Sequence, residues 1–285
     1  MEKGVSFVQQ SPPKAPFPQM ICIRAAEFQL RSLYYKKCIY IISQFRFFGG
    51  DVMGKCLLSI DWDYFIYTQK ENWGSYIENT KNVINLWYKR YIQAKALGKD
   101  IEKSFWLSSY IDEFWEKIKE NFIFAKGIKA YVSDSHTLSY DIAREQGCNA
   151  VYLFDAHADL GYGGLSSLDF EVNCANWLGK LLKDNWIGEA NIIYSPYTAE
   201  KPDYFKQINN AFNVRYPGFD DLDTGIKVSA VHICRSGAWT PPWLDERFAK
   251  FVDSLGISYE LKDCPTRKWD TTNISFSDQI YYLMA

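Results

Sequence analysis

The sequence predicts a three-layer α/β protein in which a mostly parallel β-sheet lies between helices. Short apolar runs that are typical of buried strands alternate with segments whose apolar residues have helical spacing. Such alternation is typical of parallel sheets with right-handed crossovers. Several polar clusters directly follow the apolar runs, at the edge where α/β sheets bind their ligands.

The elements are assigned in chain order. A buried strand is predicted at 55–60, because its apolar run ends abruptly at Asp61 and Asp63. Two or three helices are predicted between 73 and 124, which lacks proline and has helical apolar spacing. The remaining assignments are strands at 129–133, 150–154, 191–195, 228–234 and 257–261, and helices at 137–146 (closed by Gly147), 174–183 and 244–255.

We expect residues 1–52 to be a flexible N-terminal extension and residues 53–285 to form one domain. Four prolines within 9–19 exclude a regular helix or a central strand there. After residue 55, no segment rich in proline, glycine or serine divides the chain. The hydrophobic content of 47% is enough for a buried core.

Composition excludes several classes of partner. A net charge of −2 gives no reason to expect binding to nucleic acid. The most hydrophobic N-terminal run, 33–48, is interrupted by Lys36, Lys37 and Arg46, so no membrane-spanning segment is expected. The seven cysteines are scattered and form no C-x-x-C pair, which favours a reducing cytoplasm. An oligomer is compatible with the sequence, which leaves the oligomeric state open.

Five residues at two strand ends carry the chemistry. Asp155, His157 and Asp159 follow the run 150–154 at alternate positions, and Asp61 and Asp63 repeat this geometry after 55–60. In the alternative interpretation, the carboxylates cap the following segments and His157 is a core histidine. Burying four carboxylates together without cations would cost many kcal/mol, which favours a metal site.

The histidines, together with the carboxylates, indicate which metal the site would bind. His136 and His157 lie in predicted strand-end loops, whereas His232 lies inside a predicted strand and is assigned a structural role. Four carboxylates and two imidazoles without a thiolate favour Mn²⁺ or Mg²⁺ over a structural Zn²⁺. Two ions about 3.5–4 Å apart can share a carboxylate and activate a water molecule. The sequence therefore predicts a two-metal hydrolase.

Two motifs resemble those of the arginase and ureohydrolase family. Residues 155–159 read D-A-H-A-D and resemble the family's motif of that sequence, and residues 59–63 read S-I-D-W-D and resemble its S-x-D-x-D motif. The resemblance covers about residues 55–260 and implies an arginase-like fold. The S-x-D-x-D strand precedes the other motifs instead of following them, which implies a permuted order around a similar sheet.

The resemblance implies a role for each ligand. One Mn²⁺ ion would be held by His157 and Asp63, and the other by His136 and Asp159. Asp159 would also act in catalysis, by handling the proton of the attacking water. The carboxylates that would bridge the two ions are Asp61 and Asp155.

The region after the D-A-H-A-D motif favours a peptide substrate. In arginases this loop holds the α-carboxylate of free arginine and supplies a shuttle histidine, whereas residues 160–176 contain no histidine. In this altered loop and in the segment 235–242, the chain resembles the peptide arginases. These enzymes convert arginine residues of precursor peptides to ornithine and release urea. The candidate substrate contacts are Glu171, Asn173, Asn176, Arg235 and Glu260, and the guanidinium acceptor stays open among Glu171, Glu260 and Asp263.

Other functions remain as alternatives. Residues 57–63 also resemble the nucleophile motif of haloacid-dehalogenase-type phosphatases, with Asp220 and Asp221 as the acidic partners. A related zinc deacetylase would leave Asp63 and Asp159 without a role. A ureohydrolase or amidine hydrolase that acts on a small molecule and a metal-binding module without turnover also fit the motifs.

Overall fold

The computed structural model describes residues 55–68 and 83–284. Among these residues, seven strands form one sheet in which all neighbouring strands are parallel. The strands are β1 Cys56–Asp61, β4 Phe122–Ser133, β5 Ala150–Asp155, β6 Glu189–Tyr194, β7 Val214–Arg215, β8 Ile226–Cys234 and β9 Tyr259–Lys262, in the order β7-β6-β5-β1-β8-β4-β9. Two short strands, β2 Ile66–Thr68 and β3 Phe105–Leu107, form a separate antiparallel pair.

Helices cover both faces of the sheet. The described α-helices are α1 Val83–Ala96, α2 Phe114–Asn121, α3 Leu138–Glu145, α4 Trp177–Lys183, α5 Lys206–Ala211, α6 Asp245–Ser254 and α7 Phe276–Met284. Apolar residues of α2 and α6 belong to the core on one face. Those of α3, α4 and α5 belong to the core on the other. The predicted three-layer α/β class with a parallel sheet is confirmed.

The central strand β1 is buried along its whole length. Leu58 and Ile60 point into the core on the side of α2 and α6, whereas Leu57 points into the core on the side of α3 and α4. A strand covered on both faces needs apolar residues at successive positions, which is why this segment reads as a continuous apolar run. β1 is therefore fixed between β5 and β8, and the residues that follow it occupy defined positions.

The connections create a crevice beside β1. From β5 the chain proceeds to β6 and β7 on one side, whereas from β1 it proceeds to β4 on the other. The helices of these two sets lie on opposite faces of the sheet, as a constant crossover hand requires. The carboxyl ends of β1 and β5 therefore form a topological switch point, where open α/β sheets bind ligands.

The predicted strands and helices after residue 124 are present with small shifts at their ends. Gly147 closes α3 with a positive φ of 62°, a conformation that glycine adopts without strain. β4 is longer than predicted, because it begins at Phe122 and changes register between Phe124 and Lys129. The strands β2, β3 and β7 and the helices α5 and α7 were not predicted.

Several expectations concern residues outside the described ones. The proposed flexible extension, 1–52, lies outside them, and so does 73–82 of the predicted helical region, whose described part contains α1 and α2. In the described part of the chain, no helix has the length and hydrophobicity that are needed to cross a membrane. The five cysteines of that part form no disulfide with one another: Cys56, Cys148, Cys174, Cys234 and Cys264.

Candidate metal centre

The carboxylates at the ends of β1 and β5 lie side by side. Ile60 of β1 pairs with Phe154 of β5, so Asp61 and Asp155 are the next residues of two neighbouring strands. Both carboxylates are almost completely buried. The parallel register therefore brings together two acidic residues that are far apart in the sequence.

His136 joins three carboxylates. It lies in the short loop between β4 and α3, and its Nδ1 atom is 3.1 Å from an Oδ2 atom of each carboxylate. Its side chain is 1% exposed, so water cannot separate these charges. The three carboxylates belong to Asp61, Asp155 and Asp159.

A second group shares Asp155 with the first. His157 Nδ1 is 2.9 Å from Asp63 Oδ2 and 3.5 Å from Asp155 Oδ1. Asp155 thus directs Oδ1 towards His157 and Oδ2 towards His136. The geometry of each group, Asp63–Asp155–His157 and His136–Asp155–Asp159, is suitable for a metal ion.

Two buried atoms of the site lack a hydrogen-bond partner among the described residues. His136 Nδ1 and Asp155 Oδ2 are buried, and no hydrogen-bond partner is aligned with either atom among the described residues. One ring N–H can serve only one acceptor, whereas three carboxylates lie at the same 3.1 Å. Ligands at about 2.1 Å from one small cation lie about 3 Å from each other, so this spacing fits a bound ion.

The pKa directions show how strongly the groups interact. Burial raises the pKa of Asp155, and the charges of Asp63, Asp61 and Asp159 raise it further. Burial alone would lower the pKa of His136, but the close carboxylates of Asp155, Asp159 and Asp61, each 3.1 Å from Nδ1, keep this pKa well above its usual range. Without a cation, protons are the positive charges that remain to balance the carboxylates.

In the second group, the pKa of Asp63 is lowered and the pKa of His157 is raised. Burial would raise the pKa of Asp63, but the charge of His157 and its hydrogen bond lower it. The pKa of His157 lies well above its usual range, because the charge of Asp63 and hydrogen bonds to Asp155 and Asp63 outweigh burial. This pairing lets protonated His157 balance Asp63 when no metal is bound.

Neighbouring groups hold the carboxylates in place. The Ser236 hydroxyl donates to Asp61 Oδ2, and the Asp63 backbone amide donates to Asp61 Oδ1 at 3.0 Å. The Trp177 indole donates to Asp159 Oδ2 at 2.7 Å. Asp159 adopts a φ of 50°, a region that non-glycine residues rarely occupy. The site is therefore organised by the loop after β8, by α4 and by backbone amides.

Sequence analysis missed Glu200, a half-buried carboxylate after β6. Its Oε2 accepts the Ala158 backbone amide at 3.0 Å, and its Oε1 accepts the Tyr162 hydroxyl at 2.5 Å. Thr198, two residues earlier, donates its hydroxyl to the Ala156 carbonyl. These contacts anchor the D-A-H-A-D loop. Only the position of Glu200 beyond a strand end could have indicated its role.

Cys234 is a further residue that sequence analysis did not place in the site. It is the last residue of β8, pairs with Asp61 and is completely buried. Its thiol forms a third candidate metal group with Asp61 and His136. Because a thiolate ligand would favour a softer ion such as Zn²⁺, Cys234 bears directly on the identity of the metal.

The loop residues that were predicted to contact substrate are used within the loop. Asn176 is buried, accepts the Asn173 backbone amide at 2.8 Å and donates to the carbonyls of Ser167 and Glu171. The Asn173 side chain accepts the Ala175 amide and donates to the Glu171 carbonyl. Glu171 is exposed, and its carbonyl serves both asparagines. Both asparagine side chains therefore close the loop itself, and their contact with substrate stays a prediction.

Two other predicted substrate contacts lie in different environments. Arg235 is buried and donates to Asp134, to Asp245 and to the Pro265 carbonyl. Its guanidinium is therefore engaged within the fold, and its contact with substrate stays a prediction. Glu260 lies on the edge strand β9, three strands from β1, and pairs with Lys262. The structure does not bring Glu260 to the carboxylate cluster.

The acidic pair that the phosphatase alternative needs is elsewhere. Asp220 and Asp221 lie in a short 3₁₀ helix after β7. Asp220 is exposed and forms an ion pair with Lys117 of α2. The structure therefore offers Asp61 no acidic partner from this segment.

Comparisons with models of protein families, with curated proteins and with solved structures found no match to this chain.

Proposed function

We propose that this protein is a two-metal hydrolase that binds two Mn²⁺ ions and cleaves the guanidino group of arginine residues in a precursor peptide, which gives ornithine and urea. The observation that carries the proposal is the position of Asp155, whose two oxygens face two different imidazole nitrogens. A carboxylate in this position can bridge two ions. The unsatisfied, buried His136 Nδ1 and Asp155 Oδ2 support a cation at this point.

The ligand atoms favour a hard divalent ion. Four carboxylates and two imidazoles meet at the site: Asp61, Asp63, Asp155, Asp159, His136 and His157. Oxygen-rich sets of this kind suit Mn²⁺ or Mg²⁺. When bound, a pair of such ions lowers the pKa of water, so that a nucleophile is available near neutral pH.

The residues of this chain have separate tasks in the proposed reaction. Water adds to the guanidinium carbon, the bond from that carbon to the side-chain nitrogen breaks, and the leaving amine takes up a proton. Asp159 is the group proposed to carry this proton from water to the amine, because Trp177 fixes its carboxylate beside His136. Glu200 keeps the loop that carries His157 and Asp159 in place.

Aromatic side chains beside His157 and on the strand pair that follows Asp63 support a peptide substrate. The Trp239 ring lies 5.5 Å from the His157 ring. Tyr67 stacks on Trp106 and on Tyr197, and these two partners are exposed. Flat aromatic surfaces provide contact area for a peptide at low entropic cost. The cysteines of the described residues form no disulfide with one another, which is compatible with the cytoplasm, where we propose that the protein acts.

The proposal is tested by metal analysis followed by assays of urea release. We expect purified protein to bind two Mn²⁺ ions, and Asp155→Ala to lose both because it removes the shared ligand. Asp169→Ala is the matched control, since Asp169 is an exposed carboxylate paired with Lys183. Equal Mn²⁺ binding by wild type and Asp155→Ala would overturn the site assignment.

Substrate choice is tested with free arginine and with arginine-containing peptides. Urea from the peptides is the expected result, because the loop after Asp159 is occupied with its own hydrogen bonds. Urea from free arginine alone would exclude the peptide version. A protein that binds two ions but releases urea from neither substrate would be a metal-binding module or a hydrolase of another amidine.

A further inference from the structure

A buried chain of hydrogen bonds leads away from His136. His136 Nε2 lies 2.8 Å from the Ser59 hydroxyl, which lies 2.8 Å from the Ser139 hydroxyl. Ser139 contacts His232 Nδ1 at 2.6 Å, and His232 Nε2 contacts the Ser133 hydroxyl at 2.8 Å. The chain ends where Ser133 donates to the Ser135 backbone carbonyl at 2.8 Å.

The carbonyl at the end of the chain fixes the direction of every bond. A carbonyl oxygen only accepts, so the single proton of Ser133 points towards the Ser135 carbonyl. Ser133 must then accept from His232 Nε2–H. Neutral His232 carries its lone pair on Nδ1, so Ser139 donates to this atom.

The directions of the remaining bonds, from Ser139 to His136, follow from that of Ser139. The proton of Ser139 is used at His232, so Ser59 donates to Ser139. The proton of Ser59 is then used as well, and Ser59 accepts from His136 Nε2–H. The lone pair of neutral His136 is therefore on Nδ1, the atom that faces the three carboxylates.

The environment of His232 keeps it neutral. It is completely buried in β8, and both ring nitrogens face serine hydroxyls. Burial lowers the pKa of His232 well below its usual range, and the nearby charge of His136 lowers it further. A neutral imidazole can both donate and accept, which a continuous chain requires.

We propose that His232, Ser133, Ser139 and Ser59 form a positioning relay that holds His136 in its Nε2–H tautomer, so that the Nδ1 lone pair is available to a metal ion. This inference rests on the proposed metal centre and deepens it. Metal-binding histidines use the partner of their second ring nitrogen to set the tautomer. Here that partner is itself oriented by a second histidine and by a backbone carbonyl.

Removing the distant end of the relay tests it. In Ser133→Ala, His232 Nε2–H loses its acceptor, so the proton moves to Nδ1 and the bonds reverse. Ser139 then donates to Ser59, Ser59 donates to His136 Nε2, and His136 carries its proton on Nδ1. We expect Mn²⁺ affinity to fall about 10- to 100-fold, the usual loss for outer-shell partners of a metal ligand.

Mn²⁺ affinity is measured by isothermal titration calorimetry, and two variants serve as controls. Ser135→Ala removes a hydroxyl from the same loop but leaves the terminal carbonyl, because the Ser135 side chain bonds Thr137. It should keep an affinity near that of wild type. Ser133→Thr retains the hydroxyl and should restore binding relative to Ser133→Ala. Equal losses in Ser133→Ala and Ser135→Ala would overturn the relay.

Nitrogen-15 NMR of the histidine rings gives a readout that a merely structural role would not change. In wild type we expect His232 to be the Nε2–H tautomer in the metal-free protein, and His136 to be the Nε2–H tautomer with Mg²⁺ bound. An Nδ1–H tautomer at His232 would overturn the relay whether or not metal binds. Absence of metal binding by wild type, with the expected His232 tautomer, would instead overturn the proposed function and, with it, the relay's role at a metal.

Discussion

At the scale of single residues, Cys234 determines how the candidate centre should be distinguished from a zinc site. Its thiol belongs to the same candidate group as Asp61 and His136, yet Asp155 and Asp159 also face His136. A hard ion that is held by the carboxylates does not need the sulfur.

We therefore predict that Cys234→Ser retains Mn²⁺ binding close to wild type. The change removes the soft ligand and keeps a small polar side chain beside Ser236, which contacts Cys234 at 3.3 Å. Calorimetric titration with Mn²⁺ and with Zn²⁺ measures the effect. A large loss of Mn²⁺ affinity would show that the thiol is a ligand and would favour Zn²⁺ as the resident ion.

Residues of the centre differ in how far sequence could predict them. Asp61, Asp63, Asp155, His157 and Asp159 stand in two local motifs, so their spacing alone indicated a common site. His136 was proposed from its position after a predicted strand. Contacts that cross the fold left no local pattern, since they depend on packing between distant segments. These are the contacts of Glu200, Ser236, Trp177 and Cys234.

At the scale of elements, helix α4 is packed against the D-A-H-A-D loop. The backbone amides of Leu178 and Gly179 donate to the Asp159 carbonyl at 3.1 and 3.4 Å. A side chain at Gly179 would overlap the Leu160 carbonyl and come within 2.7 Å of a Leu168 methyl carbon. The close approach of α4 to the loop therefore depends on a residue without a side chain.

We predict that Gly179→Ala destabilises the protein by about 1–3 kcal/mol, the usual cost of overpacking. A loss of stability would be informative, because alanine is normally favoured over glycine in a helix by about 1 kcal/mol. Chemical denaturation measures the free energy of unfolding. Gly188→Ala is the control, since among the described residues only the Asn149 carbonyl oxygen, at 3.9 Å, lies within 4 Å of its added carbon. A stabilised Gly179→Ala variant would refute the close packing.

Elements were predictable to different degrees for physical reasons. Strands of the central sheet are covered on both faces, so their apolar runs stand out from the sequence. β7 has two residues and α5 has six, which is too short for a periodic pattern to be seen. The loop 160–176 was expected to contact substrate. In the structure, the side chains of its asparagines form hydrogen bonds with backbone groups of the loop, as asparagine often does with nearby backbone.

At the scale of the whole molecule, the charges of the centre link stability to pH. In the metal-free protein, the pKa values of His136 and His157 lie well above the ordinary value of 6.5. Their stabilising contribution is fully present below about pH 6.5 and is lost as the pH rises through the raised values. Asp155, whose pKa is also raised, acts in the same direction.

We predict that the melting temperature of the metal-free protein falls as the pH rises above about 6.5, where the unfolded histidines have lost their protons. Mn²⁺ replaces these protons as the balancing charge, so its stabilising effect should grow with pH and its binding should release protons. Thermal unfolding with EDTA and with Mn²⁺, from pH 6 to pH 9, measures both effects. A stabilisation by Mn²⁺ that does not change with pH would contradict the pKa directions.

The position of β1 in the middle of the sheet has a consequence for synthesis. β1 is translated early, but its neighbours β5 and β8 begin at Ala150 and Ile226. A nascent chain that has passed Asp159 already contains all six proposed ligands, yet it lacks β8, Cys234 and the Ser236 that orients Asp61. We therefore expect a ribosome-bound chain to acquire its metal only after β8 has emerged, so that the ion is captured late, by a sheet that is almost complete.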